Sequence, residues 1–127
     1  MNLGDVTNKT VPKMSLLSPP SSGGAVSTRT LIPHRVHEAI GVLGAVSVAT
    51  ACLLPGSVAA EVAVLPSADG TGSVDVQVEH PTGFFTVTLD VDRSGDLPAV
   101  RRAALLRTAR LLMRGDVMVP ASVWTGP

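Results

Sequence analysis

The stretch that most constrains this sequence is residues 37–56, HEAIGVLGAVSVATACLLPG, in which Glu38 is the only Asp, Glu, Lys or Arg. A helix that is apolar on every side has no face for water, so it must lie inside other protein structure or inside a bilayer. The helix that we predict over residues 36–54 is only about 28 Å long at 1.5 Å per residue, and glycines and hydroxyl residues dilute its hydrophobicity. We therefore expect it to be buried in protein, and Pro55 with Gly56 to end it.

The composition sets the size and chemistry of the core and the class of partner. A chain of 127 residues is one domain or part of one. Apolar residues make up 45% and aromatic residues only 2%, so the core must be aliphatic. Ten basic and ten acidic residues cancel, and we therefore expect neither a nucleic-acid nor a membrane partner. The first ten residues lack the charged and apolar regions of a secretory signal, which predicts a cytoplasmic protein.

The cysteine and histidine content argues against a metal or redox site. Cys52 is the only cysteine and lies in the apolar helix, where a small hydrophobic residue fits. His34, His37 and His80 are too far apart, and too short of thiol or acidic companions, to form a metal motif. The sequence also has no glycine loop of the phosphate-binding kind. We predict no metal and no cofactor.

The clearest local pattern is a β-hairpin in residues 73–91. Apolar and polar residues alternate in SVDVQVE and again in FFTVTLDV, so each strand should have one buried face. The connector His80-Pro81-Thr82-Gly83 has proline at its second position and glycine at its fourth, which favours a type I turn. We also predict short strands over residues 11–18 and 57–65, and a linker or disordered terminus over residues 1–10.

The last segment, AVRRAALLRTARLLMRGDVMVP, allows two interpretations. Its apolar residues follow a helical stripe, which favours a helix ending at Gly115 and a short strand over residues 117–119. Arg107, Arg110 and Arg114 share one face of that helix, and we expect them to be solvated or paired with acids rather than to clamp a substrate.

Several stretches together resemble the PrpF-type aconitate isomerases. The matching pieces are VPKMSLLSPP, the run that contains Arg29, His37 and Ala39, then GAVSVATACLLPGSV, HPTG and RTARLLMRGDVMVP. The resemblance implies an α+β fold, a diaminopimelate-epimerase-like half in which a mixed sheet wraps around a central apolar helix. It implies that residues 11–127 are the C-terminal domain of such an isomerase. It also implies a strand over residues 99–106, with helix only after it.

The same resemblance implies a function, which is a cofactor-independent proton shift on an aconitate-type tricarboxylate. Such chemistry needs an acid/base group and fixed donors that hold carboxylates and enolate-like charge. The candidates for substrate binding are His37 at the start of the central helix and the turn residues His80, Thr82 and Gly83. We expect the two segments to converge on one rim that faces a partner domain and binds a carboxylate-bearing small molecule.

Departures from the family pattern leave alternatives open. Ile32, His34 and Leu43 replace smaller or polar residues near the expected pocket, which should shift substrate choice or abolish binding. In the family, the lysine or cysteine acid/base groups belong to an N-terminal domain, and no stretch of this sequence matches that domain. We therefore expect the N-terminal domain to come from the same or another chain. The hypotheses are an isomerase domain completed by that domain, a non-catalytic binding module or remnant, and, resting on the helix alone, a single-span membrane protein.

Overall fold

The computed structural model describes residues 2–66 and 72–126. Five strands form one mixed sheet in chain order, and two helices lie between the second and third strands. The strands are β1 Met14–Ser18, β2 Val26–Leu31, β3 Gly72–His80, β4 Gly83–Asp92 and β5 Ala99–Leu105, and the helices are α1 Val42–Ala51 and α2 Val58–Val62. The fold is thus α+β with a mixed sheet. Residues 2–13 contain no helix or strand.

The sheet is antiparallel except at its centre. β2 runs parallel to β3, because the chain crosses over through both helices between these strands. The two strands share only two residue pairs, Val26 with Val78 and Ser27 with Glu79. The predicted hairpin of β3 and β4 is confirmed, with pairs from Gly72–Val91 to His80–Gly83. The alternation of its residues therefore decides which side chains face α1 and which face away.

The core is aliphatic, as the composition predicts. The valines of β3 line one face of the sheet together with Val87, Leu89 and Val91 of β4, and α1 packs on that face. From α1, Ala45 and Ala49 are fully buried. Cys52 is also buried, which raises the pKa of its thiol to about 11, so at neutral pH it packs as a small apolar group.

The helix α1 is shorter and less enclosed than predicted. It begins at Val42 rather than at residue 36, because the preceding residues turn back onto β2: the Ile32 N–H donates to the Arg35 carbonyl, and Leu31 bridges to Val36. Its outer face is open, and Leu43 is 82% exposed. The sheet covers one face of α1 and does not wrap around it. Among the described residues no helix is long and apolar enough to cross a bilayer.

Three further predictions of secondary structure are wrong. Residues 58–62, predicted as part of a strand, form helix α2, because the Ser57 hydroxyl accepts from the Ala60 N–H and caps it. Residues 99–105 form the edge strand β5, as the family resemblance implies, because β4 offers an open row of backbone groups. No helix or strand follows within residues 106–126, so neither the helix ending at Gly115 nor the strand over residues 117–119 forms.

Candidate functional site

His37 lies in the loop that returns along β2, five residues before α1, so its predicted position at the start of the helix is wrong. Its backbone N–H donates to the Thr30 carbonyl at 2.7 Å. Its Nδ1 accepts from the Ala39 N–H at 3.0 Å. These two hydrogen bonds fix both the backbone and the ring, and they leave Nε2 as the ring nitrogen that a ligand would meet.

The turn His80–Gly83 joins β3 to β4 and adjoins the His37 segment. The hydroxyl of Thr82 donates to the Glu38 carbonyl at 2.9 Å, so the turn is tied to the residue next to His37. Within the turn, Nδ1 of His80 lies 3.4 Å from the Thr82 nitrogen. Gly83 has φ 149°, whereas Pro81 and Thr82 have negative φ, as a type I turn requires. The two predicted segments therefore meet at one end of the sheet, where β3 turns into β4.

The residues of these segments nevertheless line two separate cavities. The first, which we call the helix-side groove, measures about 700 Å³ between α1 and strands β1 and β2, and His37 lines it together with Lys13, Ser15, Ile32, Leu43 and Ser47. The second, which we call the polar cavity, measures about 170 Å³ and includes His80 and Gly83 in its lining. The structure thus brings the predicted backbone segments together without placing His37 and His80 around one cavity.

Glu79, which the sequence places on the solvent face of β3, is only 3% exposed in the structure. Its Oε1 accepts from the backbone N–H groups of Ser22 and Gly24 at 2.8 and 2.9 Å. Its Oε2 accepts from the N–H and the hydroxyl of Ser21 at 2.9 and 3.0 Å. We call this arrangement the Glu79 clasp. It ties the loop between β1 and β2 to the end of β3.

The clasp is tightly packed as well as hydrogen-bonded. A Cβ atom added to Gly24 would lie 2.6 Å from the Glu79 Cγ and 2.9 Å from the Gln77 carbonyl oxygen. Such separations are well inside van der Waals contact, so only glycine fits at this position. The SSGG sequence at residues 21–24 is typical of a loop and is the available sequence signal for the clasp. Its partner could not be identified because Glu79 is more than fifty residues away.

The hydrogen bonds of the clasp keep Glu79 ionised. Burial alone would raise the pKa of this carboxyl, but the donors of Ser21, Gly24 and Ser22 outweigh it and lower the pKa to about 2. A carboxylate with so low a pKa and with both oxygens engaged is a poor proton acceptor at neutral pH. Glu79 therefore supports the site's structure and is not a candidate for the acid/base group.

The clasp predicts an acid dependence of stability. Because the pKa of Glu79 falls from 4.5 to about 2 on folding, its contribution should be complete above pH 4.5 and should be lost as the pH falls through 2. We expect the free energy of unfolding in urea to decrease over that interval more steeply in the wild type than in Glu79→Gln. Equal slopes for the two proteins between pH 5 and pH 2 would contradict this assignment.

The residues that depart from the family pattern lie in two different surroundings. Ile32 and Leu43 line the helix-side groove, whereas His34 is exposed and its Nε2 lies 2.9 Å from the Thr7 carbonyl oxygen.

The three arginines of the tail do not converge on a site. Arg107 stacks over Phe85 with its guanidinium carbon 6.0 Å from the ring centroid, and Arg110 and Arg114 are exposed. Within residues 2–66 and 72–126, no group of three or more His, Cys, Asp or Glu side chains is placed to hold a metal ion.

Comparison with known proteins identifies a matching family and several relatives of this chain. A family model described as PrpF protein matches residues 3–120. The chain is 60% identical over 119 residues to the (4E)-oxalomesaconate Delta-isomerase of a Novosphingobium species, covering 94% of this chain and 32% of that protein. It is 50% identical over 127 residues to the 4-oxalomesaconate tautomerase of Pseudomonas putida, covering 100% and 33%.

A more distant relative is the 2-methyl-aconitate isomerase of Shewanella oneidensis, which is 31% identical over 121 residues, covering 86% of this chain and 29% of that protein. The chain therefore spans about a third of the length of the curated relatives that it matches.

Proposed function

Because the chain belongs to the PrpF family, as its motifs predict, we propose that it is the substrate-holding domain of a cofactor-independent isomerase. The reaction is a proton shift along an unsaturated polycarboxylate of the oxalomesaconate or aconitate type. The observation that carries this proposal is the 60% identity to an oxalomesaconate isomerase over nearly the whole chain. The diaminopimelate-epimerase-like arrangement belongs to the same proposal.

The role of this chain is to hold the substrate's carboxylates. A proton shift next to a carboxylate develops negative charge on oxygen, and fixed N–H and O–H donors stabilise that charge. The end of the sheet where His37 meets the turn offers the Nε2 atoms of His37 and His80 and the backbone of Gly83, while the Thr82 hydroxyl, which donates to the Glu38 carbonyl, holds the turn in place. These four residues form the proposed substrate site, and the acid/base groups come from a further domain.

The helix-side groove is the surface for that further domain. Its walls are largely apolar, and it exposes Val42 at 42% and Leu43 at 82%. Apolar surface of this extent marks a site of association. The relatives contain about twice as much additional chain as they share with this one, so a second domain of the PrpF type is the proposed occupant, on the same or another chain.

The test is a chimeric enzyme in which this chain replaces the matching third of the Novosphingobium isomerase. We expect the chimera to isomerise oxalomesaconate, and this chain by itself to catalyse no exchange of solvent deuterium into that substrate. Within the chimera, His80→Ala should lower kcat/KM about tenfold or more, whereas His34→Ala, which alters an exposed histidine, should not.

Two outcomes would contradict the proposal. A folded chimera without activity would favour the alternative, a binding module that has kept the fold and lost the chemistry; Ile32 and Leu43 in the groove are the features that favour it. Deuterium exchange by this chain alone, abolished by a point mutation in it, would show that no further domain is needed.

A further inference from the structure

The polar cavity contains a cation that forms no ion pair within the described residues. Arg29 lines it from β2 and is exposed, and its guanidinium donates one hydrogen bond, to the Thr28 carbonyl at 2.8 Å. The ion pair that the described residues form is Arg101 with Asp92, far along the sheet. Glu79 lines the same cavity, but it lies beyond ion-pair distance of Arg29 and its oxygens are engaged by the clasp.

The cavity also contains a buried hydroxyl without a partner. Ser27 is 6% exposed and lines the cavity beside Glu79, with which it pairs in register. In residues 2–66 and 72–126 its hydroxyl takes part in no hydrogen bond, and no buried side-chain oxygen or nitrogen there is sealed off without a partner. The hydroxyl is therefore open to the cavity, where it can donate to a ligand.

The remaining walls limit what the ligand can be. His80 and Gly83 close one side, and the ring of Phe84, which is 48% exposed, adds an apolar edge. A volume of about 170 Å³ accommodates a carboxyl group with its neighbouring carbons and little more. The unpaired guanidinium disfavours a cation, and its planar donors match the two oxygens of a carboxylate.

We propose that the polar cavity is a carboxylate subsite in which Arg29 pairs with one carboxylate arm of a polycarboxylate and Ser27 donates to the same group. This inference rests on the proposed function, because it assigns to the polar cavity the carboxylate arm of the substrate that lies away from the helix-side groove. The clasp contributes by keeping the Glu79 charge engaged by backbone donors, so that it does not neutralise Arg29.

The experiment uses the full chain and tricarballylate, a saturated tricarboxylate that cannot isomerise, titrated at constant ionic strength and followed by amide chemical shifts. We expect the shifts to concentrate at Ser27, His80 and Phe84. Arg29→Gln should raise the Kd about tenfold or more, and Ser27→Ala should raise it several-fold. The matched control is Arg102→Gln, which removes the same charge from an exposed arginine of β5, and it should leave the Kd unchanged.

Each variant is first compared with the wild type by its unfolding curve, so that lost binding is not confused with lost folding. Absence of tricarballylate binding by the wild type would overturn the subsite, and so would equal weakening by Arg29→Gln and Arg102→Gln. Shifts confined to Gly44 and Ser47 of the groove would also overturn it. An active chimera with a dispensable Arg29 would refute the subsite alone, whereas Arg29-dependent binding with an inactive chimera would refute the isomerase function alone.

Discussion

Replacing Ala45 with aspartate is expected to lower the free energy of unfolding by about 4 kcal/mol, because the new carboxylate would be buried without a partner. Ala45 is 0% exposed and packs in the core between α1 and the sheet. A domain of this size is stabilised by only about 5–15 kcal/mol, so the substitution removes a large share of the total stability. The measurement is urea unfolding followed by circular dichroism, together with the soluble yield.

The matched control lies two residues earlier on the same helix. Leu43 is 82% exposed, so Leu43→Asp introduces the same charge into water and should change stability by about 0.5 kcal/mol or less. Because Leu43 lines the helix-side groove, this variant should instead weaken association with a second domain. An Ala45→Asp protein with the wild-type unfolding midpoint would show that α1 does not pack on the sheet as described.

Replacing Glu79 with glutamine should cost about 3 kcal/mol, because an amide cannot satisfy the clasp. One of its ends would place an N–H₂ group against the N–H groups that now donate to the carboxylate, either those of Ser22 and Gly24 or those of Ser21. The volume of the side chain is unchanged, so the effect reports hydrogen bonding and charge rather than a cavity. Urea unfolding at pH 7 provides the measurement.

The control for Glu79 is Asp75→Asn on the same strand and the same face. Asp75 is exposed and accepts one hydrogen bond, from the Thr88 hydroxyl at 2.6 Å, which the asparagine oxygen can also accept. We expect its stability to change by about 0.5 kcal/mol or less. If the two variants were equally stable, the buried carboxylate would have no structural role.

Local pattern was sufficient where neighbours in sequence are also neighbours in space. Alternation in residues 73–91, with a proline and a glycine at fixed positions of the connector, predicts the hairpin of β3 and β4, and the structure confirms it. The same holds for the aliphatic core and for β1, which lies within the predicted residues 11–18. The backbone partners of the hairpin and of β1 lie close along the chain, and the near absence of aromatic residues leaves only aliphatic side chains to form the core.

The misplaced elements are those whose backbone partners are distant in sequence. The predicted helix loses its first six residues because Leu31 and Thr30 of β2 take their backbone groups. The periodicity of residues 99–105 suits a helix, yet they form a strand because β4 has an open edge; only the family resemblance indicated this. Strand pairing across the fold supplies hydrogen bonds that local propensity does not include.

In the candidate site, too, local sequence identified some residues and only the tertiary structure revealed others. His80, Thr82 and Gly83 were identifiable because their turn is local and matches the family. The meeting of the His37 segment with this turn was predicted as well, although His37 lies in a loop and not at the start of a helix. Only the tertiary structure shows that His37 and His80 line two separate cavities. It alone buries Glu79, because the N–H groups that satisfy this carboxylate belong to a loop 55–58 residues away and can replace its water only once the chain has folded.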